Sequence, residues 1–126
     1  MTTPTQGIVL FAHGSRDPLW RAPIEAVEAH IRAHQPAVAV RCAYLELSTP
    51  DLPQAVEDLV SQGATAVTIV PMFLGTGKHA REDLPVLVAE LRARHPQVQL
   101  HVQSAIGEDP RMTALMASIA CTPPAQ

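Results

Sequence analysis

The chain has 126 residues, 47% of them hydrophobic and only 3% aromatic, the size of one ordinary domain with an aliphatic core. A net charge of -3 excludes a general nucleic-acid binder, which needs a basic face. No apolar run reaches the length of a membrane span and no signal-peptide pattern opens the chain, while Cys42 and Cys121 are too few for a disulfide framework; a reducing cytoplasm is the expected compartment.

The elements alternate. The run 7–13, GIVLFAH, is short and continuously apolar, as in a strand buried on both faces. Residues 22–35 place Ile24, Val27 and Ile31 at helical spacing before Pro36. Residues 38–47 read as a second strand. Residues 49–63 read as a second helix, with Thr49 as N-cap, Pro50 at the first helical position and Gly63 at the end. A third strand is expected over 66–73 and a third helix over 81–95, stopped by Pro96. In 98–103, Val98, Leu100 and Val102 alternate with Gln99, His101 and Gln103, the pattern of an edge strand. A fourth helix follows over 109–120, capped by Asp109 with Pro110 next.

This order predicts a three-layer, doubly wound α/β fold: a four-stranded parallel sheet of order 2-1-3-4 with helices on both faces. One domain over 1–126 is expected, ordered from about 7 to 120, with 121–126 as a tail. The runs HIRAHQPAVAVRCAYLE and ELRARHPQVQLHVQSAI echo one another. A duplicated half and the common αβ pattern both account for that.

In such sheets ligands bind beyond the carboxyl ends of the strands, where the strand order reverses. His13 ends the first strand, Glu46 the second, and the loop LGTGKHAREDLP with His79 follows the third. Two imidazoles and a carboxylate suit a divalent first-row metal such as cobalt, nickel or iron. No tight ligand motif joins them, and His13 alone would serve equally well as a strand-end residue.

Other patterns fit less well. A phosphate-binding P-loop needs glycine five positions before Gly77 and Ser or Thr after Lys78; Met72 and His79 stand there, so no nucleotide is expected. A phosphohistidine enzyme carries Arg before its histidine, where this chain has Ala12. His30 and His34, one turn apart, fall beside the apolar stripe and suit a solvated flank. His95 sits at a helix C-terminus, where a cation suits the dipole, and His101 lies on the polar side of the edge strand.

VLFAHGSRDP, CAYLELSTPDLPQAV and VTIVPMFLGTGKHAREDLP together resemble the sirohydrochlorin cobaltochelatase and ferrochelatase family, most closely its short, single-domain form, over about residues 7–120. The resemblance implies an ATP-independent (class II) chelatase, a lyase that takes Co²⁺, Ni²⁺ or Fe²⁺ as substrate and inserts it into a sirohydrochlorin-type tetrapyrrole for cobalamin, sirohaem or a related cofactor. It assigns metal handling and catalysis to His13, Glu46 and His79, and it implies a homodimer whose two copies form the cleft. Substrate contacts are expected from Ser15, Arg16, Phe73, Leu74, Gly75, Thr76, Gly77, Lys78 and Arg81, with Asp83 orienting His79. Met72 is a further apolar contact and Arg111 a further cation for substrate carboxylates. A non-catalytic metal or tetrapyrrole carrier would use the same residues, and a histidine-based phosphoryl-transfer enzyme is the third reading.

Overall fold

A computed structural model describes residues 5–123; the last three residues of the expected tail lie outside them. The helical and strand elements are β1 (Gln6–Ala12), α1 (Ala22–His34), β2 (Ala39–Tyr44), α2 (Leu52–Ser61), β3 (Ala66–Pro71), α3 (Lys78–Arg94), β4 (Gln99–Val102) and α4 (Pro110–Ala120). The strands are parallel in the order β2-β1-β3-β4, as the alternating pattern predicts. Two short 3-10 turns, Pro18–Arg21 and Ile106–Glu108, are additions to the expected elements.

Period-two alternation divides the core between the two faces of the sheet. Val9 and Phe11 of β1, with Val67 and Ile69 of β3, face α2 and α3 and meet Leu52, Val56, Leu59, Leu84, Val88 and Leu91. Leu10, Val40, Cys42, Tyr44 and Val70 face the other way and meet Ile24 and Ile31 of α1. The first face is sealed, because α2 and α3 each bury four side chains. The second is thinner: neither α1 nor α4 buries any residue.

The echo in the sequence has a structural counterpart. Gln6 pairs with Ala66 and each later β1 residue pairs with the β3 residue 60 positions on, through Phe11 with Pro71. The same offset carries Pro18–Arg21 plus α1 onto α3, and Gln35, the C-cap of α1, onto His95, the C-cap of α3. Both caps have nearly the same backbone angles, φ -132 and ψ 65 against φ -126 and ψ 64. Each unit guards its outer strand alike. Arg32 of α1 donates to the Val40 carbonyl at 3.1 Å, and Arg92 of α3 donates to the Leu100 carbonyl at 3.0 Å. These bonds occupy edge-strand carbonyls that would otherwise offer pairing to another chain.

Three boundaries differ from the sequence expectation by three residues. Thr49 is not the cap of α2: Asp51 is, accepting from the Gln54 N–H at 2.9 Å, and Leu52 begins the helix. A carboxylate one residue before an apolar turn outcompetes a more distant threonine. α3 begins at Lys78 rather than 81, with Gly77 as N-cap, and Pro85 lies inside it. The exposed proline forgoes the bond to the Arg81 carbonyl on the side facing water, which a helix tolerates. β2 stops at Tyr44 rather than 47, because residues 45–50 turn away as a loop whose Pro50 carbonyl accepts the Tyr44 N–H at 3.0 Å.

Candidate active site

β1 sends the chain to α1 on one face and β3 sends it to α3 on the other, so the loops leaving their carboxyl ends part from each other. Such a divergence leaves a crevice. His13 opens the β1 loop, and its ring lies over Phe73, with centroids 4.4 Å apart and planes inclined by 34°. Phe73 in turn packs edge-on against Phe11 and is only 4% exposed. Phe73 is therefore a floor under His13, not the open substrate contact expected of it. Leu74, 69% exposed, is the apolar side chain that stands out.

The β1 and β2 loops are laced together beyond their strands. Leu45 N–H donates to the Ala12 carbonyl and Glu46 N–H to the His13 carbonyl, each at 2.9 Å. His13 and Glu46 are thus fixed to one another through the backbone. Gly14 has φ +101, and a Cβ there would overlap the Glu46 carbonyl. Glycine is required both for the turn and for the close approach. Ser48 closes the other side: its hydroxyl donates to the Ser15 carbonyl at 2.7 Å and accepts the Ser15 N–H at 3.2 Å. The Ser15 hydroxyl is itself engaged, accepting the Asp17 N–H at 3.0 Å. Ser15 therefore serves loop structure.

His79 is the second residue of α3. Of the other helices that start at this end, α2 and α4 are capped by Asp51 and Asp109, and α1 continues from a 3-10 turn capped by Asp17. Gly77 offers α3 no side-chain cap, so the first N–H groups of this 17-residue helix are left to solvent or to an anion. The Arg81 guanidinium donates to the Thr76 carbonyl at 2.9 Å and braces this loop. Arg16, Lys78 and Arg81 are exposed and make no ion pair among the described residues. Arg111 differs. It forks onto Asp109 at 2.7 and 3.0 Å, and this pairing holds the Asp109 carboxyl down at about 2. A guanidinium so engaged is a weak candidate for substrate carboxylates. Gly75 stands exposed in the same loop, with open space where a Cβ would be.

His13, Glu46 and His79 are all exposed. Among the described residues, no three His, Cys, Asp or Glu side chains converge to hold an ion. The expected three-donor set is therefore not closed within one chain; its members are spread over an open face. Asp83 lies one turn beyond His79 on α3, and no hydrogen bond joins them among the described residues. A cavity of about 540 Å³ runs between α3 and β4, lined by Thr76, Arg81, Leu84, Val88, Arg92 and Val102 among others, and holds none of the three.

The remaining histidines separate. His30 and His34 stack in the open at 4.1 Å, and His101 is exposed on β4. His95, 5% exposed, is buried against α2 with its Nε2 3.4 Å from a Glu57 carboxylate oxygen, not a solvent-facing helix-end cation. Sequence reasoning missed Ser48 and the role of Gly14, because contacts 33 residues apart leave no periodic trace. A glycine directly after the strand-ending His13 is the one local signal in the sequence.

A doubly wound parallel sheet, with His13 and Glu46 on loops and His79 in the first turn of a helix at its switch point, defines a class of α/β proteins that work at their strand ends. Within that class the chain belongs to the CbiX family, whose family model matches residues 7–121. It is 32% identical over 104 residues to the sirohydrochlorin ferrochelatase of Bacillus subtilis, covering 82% of this chain and 40% of that one. It is 31% identical over 90 residues to the sirohydrochlorin cobaltochelatase of Methanocaldococcus jannaschii, covering 71% and 63%. The chain thus spans less than two thirds of the length of these curated relatives. Among solved structures, a CbiX protein from Marinobacter aquaeolei VT8 matches with TM-score 0.77 and 32% identity over 91% of this chain and 93% of that one. The sirohydrochlorin chelatase SirB from Bacillus subtilis subspecies spizizenii, in complex with cobalt, matches with TM-score 0.74 and 31% identity over 92% of this chain and 51% of that one.

Proposed function

We propose that this protein is a sirohydrochlorin chelatase that inserts a divalent metal into the tetrapyrrole without ATP, with Co²⁺ as the first candidate and Ni²⁺ or Fe²⁺ as alternatives. The observation that carries this reading is the backbone coupling of His13 to Glu46 at the switch point, with His79 opening the adjacent helix. The names borne by its CbiX relatives supply the substrate class.

Insertion requires the metal to shed water and two pyrrole N–H groups to lose their protons. The imidazoles of His13 and His79 can hold a metal or take a proton. Glu46, held beside His13, passes the proton on or completes the metal's shell. The open spread of the three donors suits a substrate metal, which must be released into the ring and not kept. Lys78, Arg16, Arg81 and the uncapped start of α3 supply positive potential for substrate carboxylates in a chain of net charge -3.

A homodimer is part of the proposal. The chain covers about half of the cobalt-bound SirB, so a second copy would provide the opposite wall of the cleft. Leu19 (81% exposed), Trp20, Leu115 and Ile119 offer apolar surface for it. The compartment we infer is the cytoplasm, consistent with two free cysteines. Among the described residues no helix is long and apolar enough to cross a membrane.

Absorption spectra of sirohydrochlorin mixed with Co²⁺, Ni²⁺ or Fe²⁺, with and without protein, test the proposal. Faster insertion with at least one metal is expected; rates equal to metal alone with all three refute it. His79→Ala distinguishes a catalyst, which loses turnover, from a carrier, which keeps stoichiometric binding.

A further inference from the structure

We propose that Leu47 is a substrate-contact residue, an apolar side chain held out beside Glu46 to meet the tetrapyrrole ring; this rests on the function proposed above. Among the described residues Leu47 is the one non-glycine with positive φ, +62. That left-handed region is costly for a bulky L-residue, whereas Gly enters it freely and Asn at little cost. Strain of this kind is often offset by burial of the side chain. Here it is not, because Leu47 is 54% exposed.

The surroundings show what imposes the conformation. Immediately before Leu47, the Glu46 N–H is tied to the His13 carbonyl. Immediately after it, Ser48 is latched to both the N–H and the carbonyl of Ser15. Gly14 lets the two loops close by leaving room for the Glu46 carbonyl. Leu47 is therefore the apex of a turn pinned on both sides, next to the candidate proton-relaying carboxylate. A turn needed only for folding would be served better by glycine or asparagine. Strained residues that a fold over-determines without gaining stability mark sites of function. The ligand this apex suits is broad and apolar with anionic groups at its rim: leucine for the ring face, and Arg16 on the adjoining loop for a carboxylate. Leu74 on the β3 loop is another large apolar side chain that these strand ends leave open.

The test uses the full chain with Leu47→Gly and Leu47→Ala. Leu47→Gly is expected to raise Tm, since it releases the strain, while Leu47→Ala keeps the strain and gives no such gain. Both are expected to raise the KM for sirohydrochlorin on the order of tenfold, as loss of one leucine contact implies, while the KM for the metal stays unchanged. Fluorescence quenching of metal-free sirohydrochlorin should weaken in parallel. If wild type binds and metallates sirohydrochlorin and both variants match its KM, the inference fails while the proposed function stands. A raised KM that accompanies loss of dimer in sedimentation also overturns it, by making Leu47 a subunit contact. If wild type itself neither binds nor metallates sirohydrochlorin, the proposed function fails and Leu47 with it.

Discussion

The unit β1–α1–β2 and the unit β3–α3–β4 share one frame, offset by 60 residues and paired in register along β1 and β3, yet they spend their side chains differently. The second unit buries its helix: Ala80, Leu84, Val88 and Leu91 all enter the core. The first buries none of its helix and binds its two loops to each other instead, through His13, Gly14, Ser15, Glu46 and Ser48. A βαβ unit can thus be stabilised mainly by packing or shaped mainly for a site. Here the unit with the weaker packing carries two of the three candidate metal-handling residues.

Equivalent positions in the two units provide the strongest challenge to that contrast. Leu91 is 1% exposed, while Ile31, its counterpart, is half-buried. Leu91→Ala should cost about 3 kcal/mol, within the range for a buried leucine, and Ile31→Ala about 1 kcal/mol. Urea unfolding monitored by circular dichroism measures both, and equal losses would erase the asymmetry. The loops provide the reverse case. Gly14→Ala, which drives a methyl group into the Glu46 carbonyl at positive φ, should cost about 2 kcal/mol. Its counterpart Leu74, open to solvent, should accept glycine with almost no change in Tm.

A smaller effect concerns the chemistry beneath α1. Burial, and next the Glu28 carboxylate, push the Cys42 thiol from its ordinary 9.0 up to about 12. Burial and the neighbouring Cys42 raise Tyr44 from 10.0 to about 12. Both groups stay neutral in the fold after they would ionise in the unfolded chain. Their contribution is complete below about pH 9 and is lost as pH climbs from there toward 12. Thermal melts should show stability falling across that window, less steeply in Cys42→Ala. Thiol labelling at pH 8 should modify exposed Cys121 and leave Cys42 untouched.

Much of the frame was legible in the sequence. Short apolar runs mark the inner strands, the Val98–Leu100–Val102 alternation marks the edge, and Asp109 before Pro110 marks the start of α4. The helix starts were harder. Thr49 and Asp51 are both good caps, and only the loop geometry after Tyr44 decides between them. Gly75 and Gly77 read as loop, which sets the expected start of α3 at 81, beyond His79. At the site, the sequence places the three candidate residues after successive strands, and the structure has His13 and Glu46 on loops and His79 on α3. What could not be read was which side chains the loops would bury: Phe73 turned inward under His13, and Arg111 closed on Asp109. Those outcomes depend on contacts between loops, which leave no periodicity.

The most direct test of the account is the initial rate of Co²⁺ insertion into sirohydrochlorin by wild type, His13→Ala and His79→Ala, one histidine from each unit. The account predicts that wild type accelerates insertion and that either substitution lowers kcat/KM by about a hundredfold or more. Wild-type acceleration that survives both substitutions would contradict the site, and insertion no faster than with metal alone would contradict the chelatase.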